Sequence, residues 1–363
     1  MKTILFGGSF DPLHNGHIKV ALKAKENLNA DRVVFILAKS PRWKDPTATD
    51  RDRLEMLKLG IKDYPEFEIC LDEFNSSSEV NYTYDTVKNF KKAEDEELYF
   101  LIGTDQEIKL DKWYEIDKLS KLVNFVCVSR PGENINKENL EKYKVLLIDS
   151  PVSDMSSTGV RLLKELDVPL AILDYIVEHE LYYIPEIKKR LSKHRFDHSC
   201  SVARTAYKIA LKNGLNVSKA YIAGLLHDIG KEIDIQTQYN YVKMTHPTTV
   251  DQIEPQLYHQ FLGEKIARDE FNVIDFDILL AIRYHATGNA NMGTYGEIIY
   301  ASDKIEPTRK YDSSELIKAC EEDYHNGFIK VLDENIKFLK EKHMNYTNPL
   351  TKACIEYYLG GNK

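Results

Sequence analysis

A chain of 363 residues is long for one hydrophobic core, so size alone favours two domains. Its 43% apolar and 29% charged residues are those of an ordinary globular protein, and a formal net charge of −8 disfavours broad binding to nucleic acid or to an anionic membrane. No apolar run approaches the roughly 20 residues that cross a bilayer, "MKTILFGG" lacks the form of a secretory signal, and Cys70, Cys127, Cys200, Cys320 and Cys354 are scattered with no Cys-x-x-Cys pair, so a cytoplasmic chain with reduced thiols is expected.

The first half alternates strand and helix. "KTILFGGSF" (2–10) is an apolar run ending in glycine, and "HIKVALKAKENL" (17–28) repeats apolar residues at helical spacing. "RVVFILAKSP" (32–41), "EELYFLIGTD" (96–105), "NFVCVSRPG" (124–132) and "KVLLIDSP" (144–151) read as further strands, and "SSTGVRLLKEL" (156–166) as a helix. Buried strands alternating with helices predict a mainly parallel sheet, whose ligands bind beyond the carboxyl ends of the strands.

From about residue 185 the rhythm becomes helical. "SCSVARTAYKIALKNG" (199–214), "KAYIAGLLHDIGK" (219–231), "QFLGEKIARDEF" (260–271), "DFDILLAIRYHATG" (275–288) and "LIKACEEDYHNGFIKVLDENIKFLKEK" (316–342) read as helices. Pro185 in "HELYYIPEIKKR" marks the expected change of domain, giving 1–184 and 185–363.

Two constellations carry chemistry. "GGSFDPLHNGH" follows a strand and opens a helix: Gly7 and Gly8 allow close backbone approach, and His14 and His17 sit at a helix amino terminus, which suits phosphate. "MSSTGVR" likewise opens a helix after the last strand, with Ser157 and Thr158 hydroxyls and a forked donor in Arg161. In the second half, His198, the adjacent pair His227-Asp228, His259, His285 and Asp303 all fall on inward helix faces. A single buried histidine is most often a satisfied core residue, but six such groups point to a metal site, and imidazole with carboxylate suits iron, manganese or another first-row ion.

In order, "GGSFDPLHNGH", "NYTYDT", "LIGTDQ", "KWYEIDKL", "SRPG" and "SSTGVR" resemble the bacterial nicotinate-nucleotide adenylyltransferases of the nucleotidylyltransferase superfamily, over roughly residues 1 to 184. The resemblance implies a Rossmann-like α/β fold and transfer of AMP from ATP, with Mg²⁺, to nicotinate mononucleotide. His14, His17, Ser157, Thr158 and Arg161 would hold the phosphates beside Gly7, Gly8 and Phe10 of the first motif. Gly103 and Asp105 would contact adenosine, and Thr83 and Trp113 the nicotinate. Lys44 would keep a basic group, although Trp43 stands where the family often has histidine.

"RFDHS", "AGLLHDIGK", "AIRYHATG" and "ASDKIEPTR" resemble the HD phosphohydrolase superfamily, and within it the YqeK-type symmetrical diadenosine tetraphosphate hydrolases, over about residues 190 to 312. This implies an all-α HD domain with a two-metal centre, iron being the expected ion, held by His198, His227, Asp228 and Asp303, with Asp228 also counted as catalytic. Arg195, Lys231, His259, His285, Ala286, Lys304, Glu306 and Arg309 would surround the diadenosine polyphosphate. The family often has His-Thr where this chain has His285-Ala286, with Thr287 next. The residues themselves leave open another nucleotide substrate or a regulatory, non-catalytic helical half. They also leave open a homo-oligomer; no nucleic-acid or membrane partner is expected.

Overall fold

In the computed structural model the described residues are 1–39, 47–78, 80–93, 96–129, 134–149 and 155–360. Two compact units result, Met1–Thr158 with Ala171–Tyr175, and Gly159–Leu170 with Ile176–Lys363.

The described residues of the first unit form one six-stranded sheet: β1 (Lys2–Gly8), β2 (Arg32–Leu37), β3 (Phe67–Cys70), β4 (Glu97–Gly103), β5 (Asn124–Ser129) and β6 (Leu146–Asp149), in the order β3-β2-β1-β4-β5-β6. Every pairing is parallel. Such a sheet is covered on both faces, which is why β2 is buried from Val33 to Leu37 and β4 from Leu98 to Ile102. Leu5, Val34, Phe100, Ile102 and Phe125 anchor the core on one face. Strand order reverses between β1 and β4, whose carboxyl ends are Gly7-Gly8 and Gly103. This switch point is where such sheets open a ligand crevice. The helices that bear on it are α1 (Asn15–Leu28), directly after β1, and α2 (Asp50–Ile61).

β3 was not expected. Its four residues, Phe-Glu-Ile-Cys, are too short to register as a strand by period, yet they complete the edge by pairing Val33 with Phe67 and Ile36 with Cys70.

The second unit is helical. Its central members are α3 (Lys193–Lys212), α4 (Val217–Leu226), α5 (His259–Asp269), α6 (Phe276–Tyr284) and α7 (Gly293–Ile305). α4 is buried at nine of its ten positions, as expected of a helix apolar on nearly every side. Asn216 caps it by accepting the Ser218 and Lys219 amides, and Asp275 caps α6 by accepting those of Asp277 and Ile278.

Two boundary expectations differ from the structure. The chain enters the second unit at Gly159, ahead of residue 185. Buried Leu166 and Val168 explain this: the Leu166 amide donates to Ser218 Oγ at 2.6 Å, and the Tyr207 hydroxyl to the Val168 carbonyl at 3.1 Å. Pro185 begins the helix Ile184–Lys188 instead of ending a domain, because at a first turn its missing N–H costs nothing. The run 316–342 is two helices, Ser314–Glu322 and Tyr324–Glu341, since Asp323 turns extended and caps the second through the Asn326 amide.

Candidate active sites

At the switch point, His14 is the extended residue ahead of α1 and His17 lies one turn inside it. Their rings stack with centroids 3.7 Å apart, and the His14 amide donates to His17 Nδ1 at 3.3 Å. His17 Nδ1 is therefore an acceptor, which places the proton of a neutral ring on Nε2. Phe10 holds the other side of His17, edge to face at 5.2 Å, from a left-handed backbone with φ 42°. Gly8 makes room for it, as a Cβ there would lie 2.9 Å from the Phe10 ring. The glycine thus leaves space for the Phe10 ring. The Asp11 carboxylate accepts the Thr47 and Ala48 amides, and buried Arg53 donates to the carbonyls of Ser9 and Ala38, so the loop is fixed at both ends.

Ser157 Oγ donates to the Pro12 carbonyl at 3.0 Å, which brings Ser157 to the first motif. Ser157 and Thr158 belong to the first unit and Arg161 to the second. Gly103 ends β4 and precedes exposed Asp105, whose Oδ1 would meet a Cβ on Gly103 at 3.0 Å. Thr83 opens the helix Thr83–Ala93, half-buried. Trp113 packs edge to face on Phe100 at 5.8 Å and on Phe125 at 6.2 Å. Sequence reading missed the neighbouring pair of Tyr82 and exposed Tyr114, whose ring centroids lie 4.2 Å apart with the planes tilted by 30°. The aromatic density of "NYTY" and "KWYE" was the available signal. Lys44 and Trp43, with Arg130, Pro131 and Gly132 of "SRPG", lie outside the described residues.

The helical unit gathers its six expected groups into one cluster. His198 Nε2 lies 3.1 Å from Asp303 Oδ1. His227 Nε2 lies 3.7 Å from Asp228 Oδ2 and 3.8 Å from Asp303 Oδ1. Asp228 Oδ1 lies 3.2 Å from His259 Nε2 and 3.5 Å from His285 Nε2. Gly230 permits this, since a Cβ there would sit 2.8 Å from the His259 carbonyl. His259 and His285, expected around the substrate, instead stand against Asp228, with their Nε2 atoms 3.1 Å apart.

Proton placement follows from the partners. Nδ1 of His227, His259 and His285 faces the carbonyl of Gly224, Gln256 and Ile282 at 2.7, 2.8 and 2.7 Å. A carbonyl only accepts, so each Nδ1 carries the proton and each neutral ring turns a lone pair on Nε2 inward. Burial lowers the pKa of all three, that of His227 to about 4, which keeps them neutral at pH 7. Burial opposes the charge on Asp228 and Asp303 as well. Both nevertheless lie well below the usual carboxylate range, Asp303 chiefly because the Lys304 ammonium stands beside it. His198 differs: burial disfavours its charge, but bonds to Asp303 and Glu306 raise it to about 9.

His227 Nε2 is buried and has no hydrogen-bond partner. It faces carboxylate oxygens, so lone pair meets lone pair, and a cation is what such a donor set accommodates. Two overlapping groups have ligand atoms within 4.8 Å of one another, His198 with His227 and Asp303, and His227 with Asp228 and His285. Cations of the protein ring them. Arg195 contacts Asp228 Oδ2 at 3.1 Å, and Lys231 Nζ lies 3.3 Å from His259 Nε2. Lys304 donates to the His285 carbonyl at 2.8 Å and to Asp303 at 3.0 Å, and Arg309 reaches Asp303 Oδ1 at 2.7 Å. Glu306, expected to face phosphate, is instead buried against His198. Ala286 is half-buried, and Thr287 is turned into the fold, its hydroxyl donating to the Gly288 carbonyl at 2.8 Å.

Residues 5–163 match the cytidylyltransferase-like family and residues 195–308 the HD domain family. Fold and sites thus define a nucleotidyltransferase-like α/β domain joined to a helical HD domain. A protein of Mycoplasma genitalium named "probable nicotinate-nucleotide adenylyltransferase/Ap4A hydrolase" is 30% identical over 91% of this chain and 97% of its own length. One of the same name from Mycoplasma pneumoniae is 28% identical over 96% of this chain and all of its own length. A "probable nicotinate-nucleotide adenylyltransferase" of Clostridium novyi is 39% identical over 44% of this chain and 85% of its own. The chain belongs to the two-domain nicotinate-nucleotide adenylyltransferase/Ap4A hydrolase family. Among the described residues no helix is long and apolar enough to cross a membrane.

Proposed function

We propose that the protein is a bifunctional cytoplasmic enzyme. Its sheet unit transfers AMP from ATP to nicotinate mononucleotide, and its helical unit hydrolyses diadenosine tetraphosphate to two ADP. The first reading is supported by the histidine-capped α1 at the strand-order switch and by the names of the relatives. The observation that carries the second is the inward, unpartnered Nε2 of His227 amid two carboxylates.

In adenylyl transfer the mononucleotide phosphate is its own nucleophile. One of its oxygens bonds to the α-phosphorus of ATP while the bond to the bridging oxygen breaks and pyrophosphate departs. No protein nucleophile is required, so the chain's work is positioning and charge stabilisation. His14, His17 and the amides of α1 donate toward the phosphates, with Mg²⁺ accompanying ATP. Ser157 and Thr158 complete the grip within the sheet unit, Lys44 adds positive charge, Gly103 and Asp105 take adenosine, and Thr83 and Trp113 the pyridine.

In the helical unit His198, His227, Asp228 and Asp303 would hold two metal ions, joined by His259 and His285, whose Nε2 atoms lie against Asp228. Such ions lower the pKa of bound water toward neutrality and offset phosphate charge. Arg195, Lys231, Lys304 and Arg309 bind the polyphosphate bridge as fixed cations. The Nε2 lone pairs of His227, His259 and His285 stay available to a cation at pH 7 because their Nδ1 protons are committed to backbone carbonyls.

The test uses the full chain. With ATP and nicotinate mononucleotide it should release pyrophosphate; no turnover with either pyridine mononucleotide overturns the first reading. With diadenosine tetraphosphate and Fe²⁺ or Mn²⁺, ADP should be the sole product. ATP plus AMP as products, or faster turnover of mononucleotides, overturns the second.

A further inference from the structure

Within the cluster, one histidine is oriented differently from the rest. His227, His259 and His285 each give the Nδ1 proton to the carbonyl three residues back. His227 and His285 can do so because they follow the ends of α4 and α6, where the last carbonyls lack amide partners. His259 uses the short 3-10 turn Pro255–Leu257 before α5 in the same way. His198 is the sixth residue of α3, where the carbonyl three back is taken by the amide four residues on. Its Nδ1 faces a carboxylate, Glu306 Oε1, at 3.0 Å.

Glu306 is 1% exposed and held on both oxygens. The Thr308 amide donates to Oε2 and the Thr308 hydroxyl to Oε1, each at 2.7 Å. Pro307 separates the two, and Arg309 ties the turn back to the end of α7 through the Asp303 carbonyl at 2.9 Å. Asp303 and Glu306, three residues apart at the end of one helix, thus clasp the two nitrogens of a ring carried by another helix.

We propose that Glu306 is a positioning residue that orients His198 and strengthens it as a metal ligand. By accepting the Nδ1 proton, its carboxylate fixes the ring so that Nε2 points at Asp303, and it pushes electron density toward Nε2 more than a neutral carbonyl can. The ion next to His198 is then the more tightly held of two. The inference rests on the metal reading above and assigns Glu306 no contact with substrate.

The experiment titrates the full chain with Mn²⁺ alone, following free ion by electron paramagnetic resonance, for wild type, Glu306→Gln, Thr308→Val and Asp228→Ala. Helical circular dichroism and the urea midpoint of each variant check that the helical unit is folded. Glu306→Gln keeps an acceptor but loses the charge, and should weaken the tighter Mn²⁺ site by about 10–100-fold. Thr308→Val keeps the charge and loosens only the turn, and should stay within about threefold of wild type. Wild-type affinity in Glu306→Gln overturns the proposal. Equal weakening in Glu306→Gln and Thr308→Val also overturns it, because Glu306 would then only brace the turn. If the wild type and Asp228→Ala bind Mn²⁺ alike, the metal reading fails first, which separates the two failures.

Discussion

The two candidate sites are built in opposite ways. In the sheet unit the proposed site is mostly backbone, the amino terminus of α1, with His14 and His17 stacked on each other as its cap. In the helical unit it belongs to side chains, six groups from five separate positions converging within the cluster, all buried or nearly so. A backbone site tolerates loss of one side chain, because neighbouring amides still donate. A side-chain site fails when one member goes, because the remaining lone pairs and charges are left buried against each other.

The largest expected effect tests that contrast directly. Asp228 stands between His227, His259 and His285, so Asp228→Ala should remove one of the two metal sites and lower hydrolysis by more than about 10³-fold, while pyrophosphate release stays at the wild-type rate. Retained hydrolysis would show that the cluster is not the hydrolytic centre. The counterpart is His17→Ala, which should slow adenylyl transfer by about 10²-fold, the scale of one lost charge-stabilising donor, and leave hydrolysis untouched. A loss as complete as that of Asp228→Ala would erase the proposed difference between the two constructions.

Legibility in the sequence divided along the same line. The strand-helix alternation, the parallel sheet and the helical second half were readable, because burial on both faces writes β-branched runs and inward faces write a helical period. β3 was not, being a four-residue edge with no period to detect. Nor was the early entry into the second unit at Gly159, which depends on Ser218 and Tyr207 far along the chain. The inward placement of His198, His227, His259, His285 and Asp303 followed from spacing. What spacing cannot supply is which nitrogen points where. That came from helix ends exposing the carbonyls of Gly224 and Ile282, and from the turn that carries Glu306 back to His198.

The pH dependence of metal-free protein sharpens the picture of unequal histidines. His227 is held at about 4, so between its ordinary 6.5 and 4 the unfolded chain binds a proton that the folded chain does not. Stability should fall as pH drops through that window, by about 3 kcal/mol from His227, with His259 and His285 acting in the same direction. His198, raised to about 9, works the other way: its contribution is complete below 6.5 and is lost as pH rises to 9, again about 3 kcal/mol. Urea titrations across pH 4–9 should therefore show a maximum near 6.5, and His198→Gln should flatten the alkaline limb only. A limb that survives in that variant would assign the loss to other groups.

The smallest effect concerns Thr287, the hydroxyl that stands next to the family's His-Thr position. It is 2% exposed, and its hydrogen bonds run inward, to the Gly288 carbonyl and to the side chain of Gln260, itself fully buried. Thr287→Val should leave KM for the dinucleotide within about twofold. It should cost about 1–3 kcal/mol of stability, because the Gln260 amide loses a partner with no water to replace it. The urea midpoint measures the second quantity and steady-state kinetics the first. A tenfold rise in KM at unchanged stability would return the hydroxyl to the substrate and mean that the loop after α6 turns over when a polyphosphate binds.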